Sequence, residues 1–321
     1  DELVYSLEDS DSRNPYASVT EDGRYLIIDV QEGYNENGVY YIDLGAPGGG
    51  VVRLLDEWDA LYTFVGNNGP LFFFHTNRGA PRNRLVAIDI GNPDPSAWRE
   101  IISEVDETLE SVSLVGGLFV ARYLKDAKTM VRLFEMDGDV VREVEFPGIG
   151  TASGFGGHPD ETETFYAFES YTVPPTIFRY DLSSGESSVY RETKLDFSPG
   201  DYETVQVFYS SADGTRVPMF LTYKAGMERN GENPTLLYGY GGFNISETPA
   251  FRTGLLPWLE MGGIWAVANI RGGGEYGEKW HKAGMLQNKQ NCFDDFIAAA
   301  EHLIAEGYTS TPKLAVFGGS N

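Results

Sequence analysis

Gly318-Gly319-Ser320-Asn321 directly follow Lys313-Leu314-Ala315-Val316-Phe317, which reads as a short buried strand. A strand that runs into Gly-x-Ser-x has the composition of the front half of a nucleophile elbow. That sharp turn presents a serine hydroxyl at the top of an α/β sheet. The turn strains the backbone at the serine, so its neighbours need small side chains and glycine's freedom at positive φ. In such a geometry Ser320 attacks a carbonyl carbon, and the backbone N–H of Asn321 donates to the oxyanion that forms. A polar turn after a strand has the same composition, so the motif's weight depends on the elements that lead into it.

Those elements begin near Ser198-Pro199-Gly200. Thr204–Tyr209, an Asp213-Gly214 turn and Val217–Tyr223 predict a hairpin, in which Pro218 argues against a fully paired central second strand. Thr235–Tyr238 and Ile264–Asn269 are short apolar runs of the kind buried in a parallel sheet. Phe293, Phe296, Ile297, Ala300, Leu303 and Ile304 fall at helical spacing. Asn291 is the expected N-cap of that helix and Gly307 its C-cap, with Asp294 and Asp295 suiting the positive end of the dipole. A hairpin, then strand–helix–strand into an elbow, is the first half of an α/β-hydrolase sheet.

Upstream the pattern is strand and turn. Tyr25–Asp29 leads to Val39–Asp43, Leu71–His75 to Leu85–Asp89, Leu118–Arg122 to Val131–Asp137, and Thr164–Phe168 to Ile177–Asp181. The first member of each pair recurs about every 46 or 47 residues, the range of β-propeller blades, with turn signals such as Asp22-Gly23 and Asn68-Gly69 before the units. The first strand of each blade is expected toward the central axis, and Leu3–Ser6 as the outer strand of an earlier blade. The expected fold is therefore a partial β-propeller of about four to five blades over residues 1–197. The N-terminal half of an α/β-hydrolase domain follows over 198–321, ending at the elbow.

With 321 residues, 41% hydrophobic and 13% aromatic, the chain can bury cores for two domains. No apolar run is long enough to span a membrane, and the first residues lack the pattern of a signal peptide. A start without Met and an abrupt end at Asn321 predict a piece of a longer chain. The net charge of −24 excludes nucleic acid and anionic membrane as favoured partners. Residues 201–321 carry only −4 of it, so the two parts differ in surface as well as in pattern. Cys292 is the only cysteine; it cannot form an internal disulfide and reads as a small apolar filler. His75 and His158 lie in separate repeats without partners at ligand spacing and read as structural, so no metal and no cofactor is expected.

Four stretches carry a resemblance to a known family. They are Leu237-Tyr238-Gly239-Tyr240-Gly241-Gly242-Phe243-Asn244, Ala268–Gly277 with Trp280-His281-Lys282, Asn288–Phe296, and the closing Gly-Gly-Ser-Asn. Together they resemble the prolyl oligopeptidase family of serine peptidases, closely from about residue 201 onward and more loosely through the repeats. Relatives that cleave after basic residues and the dipeptidyl peptidases differ at Tyr-Gly-Gly-Phe-Asn and Gly-Gly-Ser-Asn, so the chain sides with the prolyl branch. The resemblance implies Ser320 as nucleophile, the Asn321 N–H as one oxyanion donor and the Tyr240 hydroxyl as the other. It also implies that Phe243 lines the pocket for a substrate proline ring. In this fold the triad Asp and His follow the serine, so His281, His302, Asp294 and Asp295, which precede it, are not assigned to the triad. The two aspartates and His302 are expected in solvent, and His281 in a structured loop beside the site.

The expected activity is a cytoplasmic, monomeric serine endopeptidase that hydrolyses short peptides on the carboxyl side of proline through an acyl-enzyme. Two rivals stand beside it. One is a peptide macrocyclase of the same family; the other is a non-enzymatic propeller that binds proteins.

Overall fold

The computed structural model describes residues 3–7, 12–33, 36–46 and 48–321. Four antiparallel four-stranded sheets come first, each a meander in chain order. The first holds β1 (Arg13–Val19), β2 (Tyr25–Glu32), β3 (Glu36–Asp43) and β4 (Val52–Leu55). The second holds β5 (Tyr62–Asn68), β6 (Leu71–Thr76), β7 (Arg84–Asp89) and β8 (Arg99–Ile102). The third holds β9 (Thr108–Val115), β10 (Leu118–Lys125), β11 (Lys128–Phe134) and β12 (Val140–Glu143), and the fourth β13 (Thr151–Gly156), β14 (Glu163–Glu169), β15 (Thr176–Asp181) and β16 (Ser187–Arg191).

These sheets are propeller blades: along the inner strands of the second and third, alternate side chains are buried against different neighbouring blades. Phe72 and Phe74 of β6 pack with Tyr25, Ile27 and Tyr41 of the first blade. Phe73, between them, points the other way and meets Phe119 of the third blade edge-on at 4.9 Å. Phe119 and Ala121 of β10 face back to the second blade, while Val120 joins Tyr166 and Phe168 of the fourth. The apolar runs of the repeat are these doubly buried strands, which is why they are so evident in the sequence.

They are, however, the second and third strands of each blade. The blades begin one strand earlier, at Arg13, Tyr62, Thr108 and Thr151. The first strands escaped the pattern because they are half-exposed and irregular: β5 is bulged between Phe64 and Gly66, and β13 between Gly154 and Gly156. The first strands β5, β9 and β13 lie beside one another where the blades converge. Leu3–Ser6, expected as a strand, has no regular structure; Tyr5 packs edge-on against Tyr40 of the first blade.

The second part is one mixed sheet of β17 (Tyr202–Ser210), β18 (Arg216–Lys224), β19 (Thr235–Tyr238), β20 (Ile264–Ala268) and β21 (Leu314–Phe317), in the order β17-β18-β20-β19-β21. The hairpin β17–β18 is antiparallel along its whole length, but β20 pairs with β18 only from Met219 to Thr222, leaving Pro218 outside that ladder. β19 runs parallel to both β20 and β21. Three helices accompany the sheet: α1 (Leu256–Glu260), α2 (Glu278–Lys282) and α3 (Lys289–Ala305).

β21, read in the sequence as buried, forms the sheet edge among the described residues: it pairs with β19, and Val316 and Phe317 are 64% and 52% exposed. The helix α3 starts after Asn288 rather than Asn291, and it is rotated from the expected face. Cys292, Asp295, Ala299 and Leu303 point inward, while Phe293, Ile297 and Ile304 are exposed. Asp295 is thus fully buried rather than solvated, and Asp294 is half-buried. Gly307 does close the helix, at φ 73° with its N–H on the Ile304 carbonyl.

The propeller docks on this sheet through the β10–β11 turn. Asp126 and Ala127 both have positive φ, and Ala127 is buried among Phe220, Leu259, Trp265 and Val267 of the second part. Asp126 accepts a hydrogen bond from the Tyr276 hydroxyl at 2.7 Å, and Glu169 accepts one from the Phe251 N–H at 2.7 Å. Since blade stacking concentrates on residues such as Phe73, Phe73→Ala should destabilise the propeller by ~3–5 kcal/mol. Exposed Val140→Ala on the third blade should change it by less than about 0.5 kcal/mol. Urea unfolding of the two variants, followed by circular dichroism, makes the comparison.

Candidate active site

β21 carries Ser320 to the loop that leaves β19. Ser320 has φ 69°, a left-handed conformation that costs a residue with a side chain roughly 1–2 kcal/mol. The Asn321 N–H donates to the Gly319 carbonyl at 3.0 Å, closing a tight turn around the serine. The Asn321 carboxamide holds that turn in place. Its Nδ2 donates to the carbonyls of Tyr240 at 3.0 Å and Gly241 at 2.9 Å. The serine turn and the loop after β19 are therefore one unit.

That loop is itself strained and braced. Phe243 and Asn244 have φ 53° and 58°, and Phe243 is 69% exposed. Tyr240 is half-buried, and its hydroxyl makes no hydrogen bond among the described residues. His281 lies in α2, a brace for this loop. Its Nδ1 is 2.7 Å from the Gly272 carbonyl and 3.0 Å from the Asn244 nitrogen. The other three histidines are engaged elsewhere. His75 Nε2 meets the Leu109 carbonyl at 2.9 Å, and burial lowers its pKa. His158 pairs with Glu21 at 2.8 Å, a hydrogen bond that raises its pKa. His302 stacks on Tyr209, and burial lowers its pKa too. No histidine among the described residues bonds to Ser320.

Behind the loop lie charged groups to which the sequence reading gave no role. Arg271 is buried and bonded through Nε and Nη2 to Asp295, with Nη1 on Asp213 at 2.5 Å. The guanidinium hydrogen bond holds the Asp213 carboxyl far below the usual carboxylate range. Glu275 is 1% exposed; its Oε1 accepts from the Glu247 N–H at 3.0 Å and from Asn269 Nδ2 at 3.3 Å, while Oε2 has no partner among the described residues. Burial pushes its pKa up to about 7. The sequence signal for both was available: two charged residues flank three glycines, where the backbone packs too closely for long side chains to stay in solvent. Cys292 is the expected filler, with its thiol buried at 3.5 Å from the Gly241 carbonyl and its pKa raised by that burial. A cleft of about 1170 Å³ lies between the two parts and is lined by Arg82, Asp106, Asp126, Arg216, Tyr276 and Trp280, not by the serine turn.

A left-handed serine at the end of a parallel strand, reached through a hairpin and a strand–helix–strand unit, defines an α/β-hydrolase built behind propeller blades. The comparisons agree. A family model described as the prolyl oligopeptidase N-terminal β-propeller domain matches residues 1–193, and one described as the prolyl oligopeptidase family matches 249–321. The chain belongs to the prolyl oligopeptidase family. It is 44% identical over 321 residues to a prolyl endopeptidase of Elizabethkingia miricola, covering 100% of this chain and 45% of that protein. It is 35% identical over 313 residues to the dual function macrocyclase-peptidase POPB of Amanita bisporigera, covering 94% of this chain and 43% of that one. A structure of prolyl oligopeptidase B from Galerina marginata, bound to a 35mer hydrolysis and macrocyclization substrate, superposes with TM-score 0.92 at 33% identity, covering 99% of this chain and 46% of that one. The chain thus spans under half the length of these relatives.

Glu275 supplies a pH test of the site's scaffold. The unfolded carboxyl releases its proton near 4.5, while the folded one keeps it to about 7. The native state therefore binds more protons across that window, so the carboxyl's contribution to stability falls as pH rises through it and levels off above. Glu275→Gln should flatten this slope and leave the protein more stable than wild type at pH 8, as read from melting temperatures across pH.

Proposed function

We propose that this chain is part of a serine endopeptidase that cleaves short peptides on the carboxyl side of proline through an acyl-enzyme. The observation that carries the reading is Ser320 at positive φ, tied by Asn321 to the loop bearing Tyr240. A propeller that only binds proteins has no physical need for a strained serine turn or for the clamp that maintains it. Ser320 is the nucleophile in this reading, and the Tyr240 hydroxyl and the Asn321 N–H receive the oxyanion. The Asn321 N–H is bent onto Gly319 in a tight turn, and a charged oxygen is the stronger acceptor. Exposed Phe243 packs against the substrate proline ring. The triad Asp and His come from sequence after Asn321 in the full-length protein, and further blades stack against the exposed Ile177, Val189 and Tyr190 of the fourth blade. In this reading the domain boundary falls at residues 197 and 198, no cofactor takes part, the protein works as a monomer, and its single cysteine, buried and free, fits the reducing cytoplasm. Hydrolysis is preferred over macrocyclisation because the prolyl endopeptidase relatives are nearer, at 44% against 35% identity.

In the full-length protein, Ser320→Ala should abolish labelling by an organophosphonate and reduce turnover of a proline anilide to background. Tyr240→Phe should lower the rate of the chemical step with little change in substrate affinity, by a loss of ~3 kcal/mol or roughly a hundredfold. Unchanged turnover in Tyr240→Phe, with chemistry limiting, would remove Tyr240 from the mechanism, and cyclic products by mass spectrometry would favour the macrocyclase.

The propeller also restricts access in this reading, leaving the gap between the two parts as a route for flexible peptides. One cleavage sequence should be cut rapidly as a free decapeptide and survive inside the loop of a stable folded domain. Equal rates for both would discard the propeller as a filter.

A further inference from the structure

Lys289 is an unusual first residue for a helix. It opens the 17-residue α3, where the unsatisfied N–H groups and the macrodipole disfavour a positive charge. Its side chain does not extend into solvent to relieve this. It is half-buried, and Nζ donates to the Gly241 carbonyl at 2.9 Å.

That carbonyl is the point where three segments meet. A carbonyl oxygen has two lone pairs; here Lys289 Nζ and Asn321 Nδ2 take them, each at 2.9 Å, and the Cys292 thiol makes a longer third contact at 3.5 Å. The direction of the carbonyl is sterically fixed. Gly241 has φ 62°, and a Cβ there would lie 2.6 Å from Cys292 Sγ; a Cβ on Gly272 would lie 2.3 Å from the Gly241 oxygen. The loop residue before Gly241 is Tyr240, and the residue before Asn321 is Ser320. The ammonium thus binds one of the two carbonyl oxygens through which Asn321 joins the serine turn to the tyrosine loop, and a charged donor makes that bond stronger than a neutral one would.

We infer that Lys289 is a positioning residue for the oxyanion site: through the Gly241 carbonyl its ammonium fixes the loop bearing Tyr240 in register with the turn bearing Ser320. This rests on the peptidase reading above. Without the ammonium, the Gly241 oxygen keeps only the Asn321 carboxamide as a strong donor. The loop then keeps its bonds to the Asn321 carboxamide, through the Tyr240 and Gly241 oxygens, but loses its charged tie to α3, and Tyr240 loses its fixed distance from the reacting carbonyl.

The test compares Lys289→Met, Lys289→Gln and Lys289→Arg in the full-length protein, with a proline anilide as substrate. Lys289→Met, similar in length but without charge or donor, should lower kcat about tenfold, less than loss of an oxyanion donor itself, and leave KM within about twofold. Lys289→Gln, a neutral donor on a shorter chain, should fall similarly, and Lys289→Arg should recover most of kcat. Amide hydrogen exchange, followed by mass spectrometry on the peptide covering Tyr238–Ile245, should speed up in Lys289→Met and return toward wild type in Lys289→Arg. Unchanged kcat and unchanged exchange in Lys289→Met would overturn the assignment. So would equal losses in the Met, Gln and Arg variants that follow a fall in melting temperature, since that marks plain destabilisation. A wild-type protein that neither cleaves the anilide nor reacts with an organophosphonate defeats the peptidase reading instead. The exchange comparison needs no activity and then decides the role of Lys289 by itself.

Discussion

A guanidinium taken out of water must be met by carboxylates, and this requirement organises the hydrolase part of the chain. Arg271, 4% exposed, is held by fully buried Asp295 of α3 on one side and by Asp213 of the β17–β18 turn on the other. Removing either member of the buried Arg271–Asp295 pair leaves a buried charge without its main partner, which typically costs ~3–5 kcal/mol. The consequence is geometric. The glycine-rich loop from 271 to 277, the helix and the hairpin are locked together, and with them Gly272, the Gly241 carbonyl packed against it, and the start of α3 at Lys289. The serine turn is the last link of this chain of contacts, attached through the Asn321 carboxamide.

The propeller enters the same framework from its third blade. A two-residue turn with both φ angles positive is the narrowest way to end a hairpin, and Asp126-Ala127 uses it to reach between the elements of the second sheet. The small methyl of Ala127 fits among Trp265, Val267 and Leu259, and the Asp126 carboxylate takes the Tyr276 hydroxyl, whose pKa burial and that hydrogen bond raise. Tyr276 belongs to the loop that Arg271 anchors. Movement of the propeller relative to the hydrolase part is therefore mechanically connected to the residues behind Tyr240 and Phe243.

Much of this was legible in the residues alone, for definite reasons. The inner strands Tyr25–Asp29, Leu71–His75, Leu118–Arg122 and Thr164–Phe168 are largely apolar because most of their side chains pack inside or between blades, so their 46- to 47-residue period stood out. The turn Gly-Gly-Ser-Asn had to be small because the serine sits at positive φ, and Gly307 had to end the helix because its φ is 73°. These features are local: each follows from one residue's own backbone or from a strand packed mostly inside the blades.

The rest was decided by partners distant in sequence. The helix α3 carries apolar residues on more than one face: of those the spacing pointed inward, Leu303, Phe296 and Ala300 pack on the core, while Phe293, Ile297 and Ile304 stay exposed, and the inward face includes Asp295, bonded to Arg271 24 residues upstream. The first strands of the blades, half-exposed and bulged, left no pattern to read. The sequence around Lys289 carries no sign of its partner, because the Gly241 carbonyl it binds lies 48 residues away. Sequence by itself determined the repeat, the elbow and the family, because backbone strain and double burial restrict residue type at the position where they act. Tertiary structure alone decided which charges are buried and what they hold, because a charge's cost and its partner are set by what packs around it.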